Sequence, residues 1–378
     1  MILADMGAEV IKVEKPGFGD DTRTWGPPFC CTESAYFISV NRNKKSIVID
    51  LKTEHGKDLI RKLACVSDVF LENYLPGKLS EFGLGYSELS KIAPHLIYCS
   101  ITGYGQNGPY AKRPGYDVIV AGVGGLVHTT GPQNGEPCKV GVAMTDLSTG
   151  LYAHGAILAA LLHQQKTGRG QYLDCNLLST QVASLVNLGS NYLNAGKEAT
   201  RQGTAHESIV PYQGFATSDG YILIGAGNDT QFKALCKLLG ATDLSKDERY
   251  KTNKLRVLNR KCLLRQLSDI FSQKNTTEWL KQFEGCEFPY GPINNMSQVF
   301  ADQQVHECGL IQEMKHPQIG KIRLPAPAVD YVSQVVTTEH FAPPILGQHT
   351  QEVLRNVLGL GTVEINDLSK QGVIKCAS

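Results

Sequence analysis

The sequence lacks the features of a membrane-spanning or nucleic-acid-binding protein. No run approaches the roughly 18 consecutive apolar residues of a transmembrane helix, and we expect no targeting leader, because no basic, apolar or Arg/Ser-rich stretch precedes Leu3. Lysine and arginine number 37 against 36 aspartate and glutamate residues, a formal net charge of +1. This balance argues against a nucleic-acid binder but leaves room for a local basic patch that meets a phosphorylated ligand.

Motifs for disulfide, metal and serine-hydrolase chemistry are also missing. The 11 cysteines include the adjacent Cys30 and Cys31 but no C-x-x-C pair, and their odd number favours free thiols in a reducing compartment. H-E-x-x-H and paired Cys/His clusters are absent, so we expect no metal site. G-x-S-x-G is absent as well, and the spacing of His128, His154 and His163 matches no catalytic pattern.

What the sequence does contain is an alternation of strand-like and helix-like segments. Apolar strand patterns at residues 46–51, 67–73 and 95–101 alternate with helical spacing at 54–65 and 86–92. This order predicts a parallel sheet flanked by helices. With 378 residues, 42% of them hydrophobic, the chain is expected to form two domains or one domain with a large insertion.

Changes in composition divide the chain into three predicted stretches. Residues 1–195 are expected to form the first part of a large domain, and residues 196–304 a smaller α+β domain. Residues 305–378 are expected to return to the large domain and complete it.

Gly103, Gly105 and Gly108 form a G-x-G-x-x-G motif directly after a predicted strand. In a dinucleotide site these glycines open a helix whose N-terminus holds the pyrophosphate. Pro109 and Pro114 follow within a few residues and prevent a sustained helix. A nicotinamide site is therefore disfavoured, while a loop whose backbone amides approach a ligand and a purely structural loop both stay open.

Asp146 lies between a strand predicted at 139–144 and a helix predicted at 150–165, which is expected to end with Gly168 as its C-cap. Aspartate is a favoured N-cap, and taken alone the pattern indicates this structural role. The alternative role is catalytic, because a carboxylate at a strand end of an open α/β sheet faces the crevice where ligands bind. Such a carboxylate is ionised at neutral pH and can attack a thioester carbonyl, with backbone amides near the helix start stabilising the oxyanion.

Eight segments together resemble CoA-transferase family III in order and spacing. They span nearly the whole chain and read LADMGAEVIKVEKPGFGDDTR, NRNKKSIVIDLK, DVFLENYLPGKLSEFGL, SITGYGQNGPYAKRPGYD, TDLSTGLYAHGAILAALLHQQKTGRGQ, PYQGFATSDGYILI, PYGPINN and PPILGQHTQEVL. The resemblance implies an α/β fold: a Rossmann-like large domain with a parallel sheet built from both chain ends, a smaller α+β domain, and an interlocked homodimer. It also implies a mitochondrial enzyme without a permanently bound cofactor, for which a coenzyme A thioester is a substrate.

In this family the aspartate of the D-x-x-T-G segment is the nucleophile, which implies that Asp146 carries CoA as an aspartyl-CoA thioester. The implied donor is an acyl-CoA such as succinyl-CoA, and the implied acceptor is a dicarboxylic acid such as glutarate or 3-hydroxy-3-methylglutarate. Lys15, Lys52 and Arg113 are the implied phosphate partners. The residues implied to line the CoA site are Lys15, Ile49, Asp50, Leu51, Lys52, Asn73, Tyr74 and Arg113. No contact is implied at Glu81, where a formyl-CoA transferase carries an arginine.

Two alternatives to an active transferase stay open. The 2-methylacyl-CoA racemases of the same family move an α-proton with an Asp and a His, but here Tyr116 stands in the place of that His, before Asp117, and tyrosine is a poor base at neutral pH. The family also begins with an additional strand and an A-G-P turn that contacts CoA, and this chain starts after both. A catalytically impaired CoA-binding protein is therefore the second alternative hypothesis.

Overall fold

The computed structural model describes residues 1–332 and 340–377, and the chain divides into two compact units. The first unit comprises 1–124, 142–184 and 302–378, and the second comprises 125–141 and 185–301. The sequence-based boundaries placed 125–141 and 185–195 in the large domain, whereas these residues cluster with the second unit. Residues 333–339 and 378, which belong to the predicted return segment, lie outside the described residues.

Helices and short strands alternate along the described chain. The strands are β1 (Val10–Glu14), β2 (Phe29–Cys30), β3 (Glu33–Ser34), β4 (Lys44–Ile49), β5 (Val69–Glu72), β6 (Ile97–Thr102), β7 (Tyr172–Asn176), β8 (Tyr212–Ala216), β9 (Tyr221–Gly225), β10 (Tyr290–Pro292), β11 (Ile311–His316), β12 (Gly320–Pro325) and β13 (Ile374–Lys375). The α-helices are α1 (Ile2–Asp5), α2 (Ala35–Val40), α3 (Glu54–Val66), α4 (Lys78–Glu81), α5 (Tyr86–Ile92), α6 (Asp117–Val123), α7 (Leu126–Thr129), α8 (Met144–Thr167), α9 (Leu177–Ala183), α10 (Val186–Ala195), α11 (Asp229–Leu238), α12 (Thr242–Lys246), α13 (Asn253–Leu258), α14 (Arg260–Phe271), α15 (Thr276–Phe283), α16 (Met296–Ala301), α17 (Gln303–Glu307), α18 (Thr350–Asn356) and α19 (Thr362–Lys370). Two 3-10 turns lie at Asp21–Thr24 and Glu248–Tyr250. Within the described residues, every helix is too short or too polar to cross a membrane.

The parallel strand pairing predicted for the first unit is confirmed, but the strands form two sheets. β1 and β4 are parallel, and β13 pairs antiparallel with the other edge of β4. β5, β6 and β7 form a second sheet in which all neighbours are parallel. Ile47 of β4 and Tyr98 of β6 belong to one hydrophobic core with side chains of α3, α5 and α18. The two sheets therefore pack against the same layer of helices.

The strand expected at 139–144 is wrong. Residues 139–143 form no strand, and Met144 is already the first residue of α8. The apolar alternation there resembles a strand, but a strand forms only where a neighbouring strand accepts and donates its backbone hydrogen bonds. The other end of α8 is as predicted, since Gly168 follows Thr167 with φ 70°, the left-handed conformation that suits a glycine cap.

The second unit combines helices with one small sheet. β8, β9 and β10 form an antiparallel sheet in the order β10-β9-β8. Aromatic side chains dominate its core, where Phe271 stacks on Phe215 and lies against Trp279. The hydrophobic spacing of residues 256–271 predicts a single helix. This prediction is wrong, because Asn259 leaves the helical conformation with φ −100° and ψ 19° and separates α13 from α14.

The C-terminal segment returns to the first unit and completes its first sheet. The sequence predicts a final helix over 350–358, and α18 begins as predicted at the buried Thr350. The Thr350 hydroxyl accepts from the Val48 amide at 3.1 Å and donates to the Lys375 carbonyl at 2.8 Å. This one side chain holds β4 and β13 side by side. The β11–β12 hairpin, α19 and β13 were not predicted from the sequence.

Candidate active site

Asp146 is the third residue of α8 and does not cap the helix. The residue before the helix is Ala143, which has no side-chain acceptor. The N-cap interpretation of Asp146 is therefore wrong, and so is its expected position at a strand end. Asp146 is exposed, and its side chain makes no hydrogen bond within the described residues.

The N-terminal cap of α8 is supplied by Asp117, the first residue of α6. One carboxylate oxygen of Asp117, Oδ2, accepts from the backbone N–H of Thr145 at 2.8 Å and of Asp146 at 3.2 Å. A carboxylate at a helix N-terminus satisfies free amide donors and interacts favourably with the helix dipole. These two amides are therefore occupied, and they do not form the oxyanion site that the sequence suggested.

Asp117 also changes the acidity of Asp146. Desolvation by the surrounding protein and the negative charge of Asp117 raise the pKa of Asp146 to about 6. A carboxylate with a raised pKa is a more basic nucleophile than an ordinary aspartate, yet it is still ionised above pH 6. Because the negative charges of Asp117 and Asp146 repel each other, a reaction that removes the charge of Asp146 is favoured.

Two buried side chains fix the first turn of α8. The Thr145 hydroxyl donates to Gln181 Oε1 of α9 at 2.8 Å, and the Thr149 hydroxyl donates to the Thr145 carbonyl at 2.7 Å. Thr145 and Gln181 are 1% and 3% exposed, which leaves little freedom for this turn. Sequence reasoning missed Gln181, because no local pattern marks a residue that acts from another helix.

The glycine motif forms a loop and opens no helix, which removes the basis for a nicotinamide site. Gly105 and Gly108 have φ values of 86° and 91°, and the next helix begins only at Asp117. A Cβ atom at Gly103 would lie 2.9 Å from the Cα of Gly115, so only glycine allows this close approach. The approach folds the loop back towards β6 just before Asp117.

Most of the predicted CoA-site residues follow the C-terminal ends of parallel strands. Lys15 follows β1, Asp50 to Lys52 follow β4, and Asn73 and Tyr74 follow β5. The register Glu14↔Val48 places the first two of these segments side by side. Burial and the negative charge of Glu72 raise the pKa of Tyr74, and the positive charge of Lys15 offsets part of this rise. Because Lys15 acts on Tyr74, the segments after β1 and β5 lie within electrostatic reach of each other.

The individual side chains differ in what they can offer a ligand. Ile49 is 1% exposed in the core, so only its backbone can face a ligand. Lys15 and Lys52 are exposed, and Lys15 forms a 2.5 Å ion pair with Asp21 that a phosphate group would have to displace. Arg113 lies in the loop after β6, where its guanidinium group stacks 3.8 Å from the ring centroid of Tyr110.

Comparison with known proteins relates this architecture to one family. The sequence model of CoA-transferase family III matches residues 1–350. A human protein named succinyl-CoA:glutarate CoA-transferase is 58% identical over 99% of this chain and 85% of its own length. A protein of Agrobacterium fabrum named succinate–glutarate CoA-transferase is 44% identical over 93% of this chain and 90% of its own length. The crystal structure of a CAIB/BAIF family protein from Brucella suis superposes with a TM-score of 0.83 at 42% identity, covering 93% of this chain and 92% of that one.

Proposed function

The chain belongs to CoA-transferase family III, and from that premise we propose that it moves CoA from succinyl-CoA to glutarate or 3-hydroxy-3-methylglutarate through an aspartyl-CoA thioester on Asp146. The names of the human and Agrobacterium relatives support succinyl and glutaryl groups as the acyl groups exchanged. A mitochondrial location is a further prediction of the resemblance alone.

The observation that carries the proposal is the exposed carboxylate of Asp146 beside Asp117 at the start of α8. Its raised pKa makes it a stronger nucleophile, and it needs no general base above pH 6. Acylation converts Asp146 into a neutral anhydride or thioester, which ends its repulsion with Asp117. The Asp117 charge therefore favours the covalent states over the free carboxylate.

The reaction divides into four displacements. A carboxylate oxygen of Asp146 attacks the succinyl-CoA carbonyl, and the CoA thiolate leaves to give a mixed anhydride. The thiolate attacks the aspartyl carbonyl, which releases succinate and forms the aspartyl-CoA thioester. A carboxylate of the acceptor then attacks this thioester and expels the thiolate again. The thiolate finally attacks the acceptor's acyl carbonyl, which yields the new acyl-CoA and restores the Asp146 carboxylate.

Cationic side chains around the strand ends are the proposed anchors of CoA. Lys15 and Lys52 extend from the neighbouring segments after β1 and β4, and Arg113 extends from the loop after β6. Lysine binds phosphate as a point charge, and arginine adds a planar face that can stack. The exposed Asn73 and Tyr74 are the proposed contacts from the segment after β5.

An acceptor panel tests the proposed reaction. The 378-residue chain is incubated with succinyl-CoA and glutarate, 3-hydroxy-3-methylglutarate, oxalate, adipate or carnitine, and both acyl-CoA species are quantified. We expect equal amounts of succinate and new acyl-CoA, with glutarate or 3-hydroxy-3-methylglutarate preferred. A preference for carnitine would assign the chain to another branch of the family. Binding of CoA without turnover would favour the impaired alternative, and α-proton exchange in a 2-methylacyl-CoA the racemase alternative.

We further propose a homodimer, supported by an apolar stripe along α8. The stripe consists of Leu147, Leu151, Leu158 and Leu162, which are 52%, 57%, 37% and 62% exposed and lie on one side of the helix. A continuous row of exposed leucines on a long helix is typical of a surface that another protein covers. A second copy of the chain is the proposed cover.

Leu151→Asp tests the homodimer, because a charge in the middle of the stripe would be buried without a partner. We expect sedimentation velocity at micromolar concentration to show a dimer for the wild type and a single chain for the variant. The matched control is Val363→Asp on α19, where valine is 76% exposed, and this variant should sediment like the wild type. Identical sedimentation of all three proteins would contradict the role of the stripe.

A further inference from the structure

We propose that Glu72 is a positioning residue for CoA binding, which holds the backbone of the Asn73–Tyr74 segment in place through hydrogen bonds. This inference rests on the proposed function, because it assumes that Asn73 and Tyr74 contact CoA. The Glu72 side chain itself does not contact CoA in this proposal. It affects CoA binding only by holding the backbone of the segment that does.

The Glu72 carboxylate forms hydrogen bonds both to the segment that follows β5 and to the neighbouring strand of the sheet. Glu72 is the last residue of β5, and its Oε2 accepts from the Tyr74 backbone N–H at 2.7 Å. Its Oε1 accepts from the Ser100 hydroxyl of β6. One oxygen therefore binds the sheet while the other binds the first turn of the loop. A side-chain oxygen that accepts the amide two residues later fixes the backbone conformation at the end of the strand.

A line of hydroxyl groups across the sheet orients this carboxylate. Ser100 is 1% exposed, and its oxygen also accepts from the Tyr172 hydroxyl of β7 at 3.4 Å. Tyr172 in turn stacks on Tyr86 of α5 with ring centroids 5.0 Å apart. The position of Tyr74 is thus connected through Glu72 and Ser100 to three strands and one helix of the first unit.

The neighbouring segment after β4 is shaped in the same way. Asp50 follows the last residue of β4, and its Oδ1 accepts from the Lys52 backbone N–H at 2.9 Å. A carboxylate repels the phosphates of CoA, so direct contact of either acid with these phosphates is unfavourable. Each acid instead binds a backbone amide two residues later and so fixes the segment that follows its strand. These segments lie at the C-terminal edge of the parallel strands, where α/β sheets bind ligands.

The chemistry of Glu72 fits a hydrogen-bond acceptor better than a charge partner. Burial raises the pKa of Glu72, and the hydrogen bonds from Ser100 and the Tyr74 amide offset only part of this rise. Within the described residues no lysine or arginine forms an ion pair with it. A glutamine at this position can accept from the Tyr74 amide with its carbonyl and donate to Ser100 with its amide, so it keeps both connections.

The test compares Glu72→Ala, Glu72→Gln and the control Glu313→Ala. Glu313 is also a strand glutamate of the first unit, and in the part of the chain that the structure describes its carboxylate pairs with Lys321 on the next strand. CoA binding is measured by calorimetry, and backbone exchange at Tyr74 by hydrogen–deuterium exchange without ligand. We expect Glu72→Ala to bind CoA about tenfold more weakly and to exchange faster at Tyr74. The kcat at saturating succinyl-CoA should stay within about threefold of the wild type, because Asp146 is untouched.

Each outcome decides the inference. Glu72→Gln should bind CoA within about twofold of the wild type, and Glu313→Ala should be unchanged. Wild-type affinity in Glu72→Ala, or equal losses in the alanine and glutamine variants, would overturn the positioning role. If Glu72→Ala fails to fold, Ser100→Ala replaces it, with about threefold weaker binding expected and unchanged binding contradicting the inference. A wild-type chain that does not bind CoA would remove the proposed function, while exchange at Tyr74 would still test the hydrogen bond.

Discussion

Replacing Asp146 with asparagine is expected to lower turnover by roughly 10³- to 10⁶-fold, the range over which loss of a covalent nucleophile acts. Asparagine has nearly the same shape but does not form the mixed anhydride, so CoA binding should stay within about twofold of the wild type. The decisive measurement is trapping with hydroxylamine. It should modify residue 146 of the wild-type chain only when acyl-CoA is present, and it should not modify the variant.

The stability of this variant provides an internal control. Because the folded-state pKa of Asp146 is raised to about 6 from 3.8, its ionised form destabilises the fold at neutral pH. Asp146→Asn should therefore melt at the same or a higher temperature than the wild type above pH 6. Any gain should fade as the pH falls from 6 towards 4, where the wild-type carboxyl takes up its proton. Turnover above about 1% of wild type in a well-folded variant would contradict a nucleophilic role.

Local patterns predicted the elements whose form depends on local contacts. α5 spans the predicted residues, and α3 begins at the predicted residue after Thr53, whose hydroxyl accepts from the Gly56 amide. β13 is only two residues long and is held by Thr350 from another segment, so its sequence is too short to show the alternating hydrophobic pattern of a strand. Residues 139–144 show the opposite error, since a strand-like pattern without a neighbouring strand does not form a strand.

The site shows the same limit of local reasoning. The sequence pattern alone indicated an N-cap at Asp146, and only the resemblance to the family indicated a nucleophile. The residue that does cap α8 is Asp117, 29 positions before Asp146. Its role depends on the turn at Gly103 and Gly115, which brings α6 to the start of α8. A sequence pattern identifies the residue types, but this pairing comes from the tertiary fold.

Asp117→Asn is expected to move the acidic limb of the pH–activity profile to lower pH. Both helix amides bind the same Asp117 oxygen, Oδ2, so the carbonyl oxygen of asparagine can keep both hydrogen bonds. The variant thus removes the charge and keeps the cap. Desolvation still raises the pKa of Asp146 in this variant. The acidic limb should therefore move from near pH 6 to a lower pH that stays above 3.8, the ordinary pKa of aspartate.

Asp117→Ala is the matched variant, because it removes the charge and the cap together. We expect its kcat to fall by about 10²-fold, since a nucleophile on an uncapped first turn loses its alignment. The two variants separate the electrostatic role of Asp117 from its structural role. If the asparagine variant kept its acidic limb near pH 6 with unchanged kcat, Asp117 would act only as a cap. If the alanine variant kept wild-type kcat, the link between the α8 cap and the reactivity of Asp146 would fail.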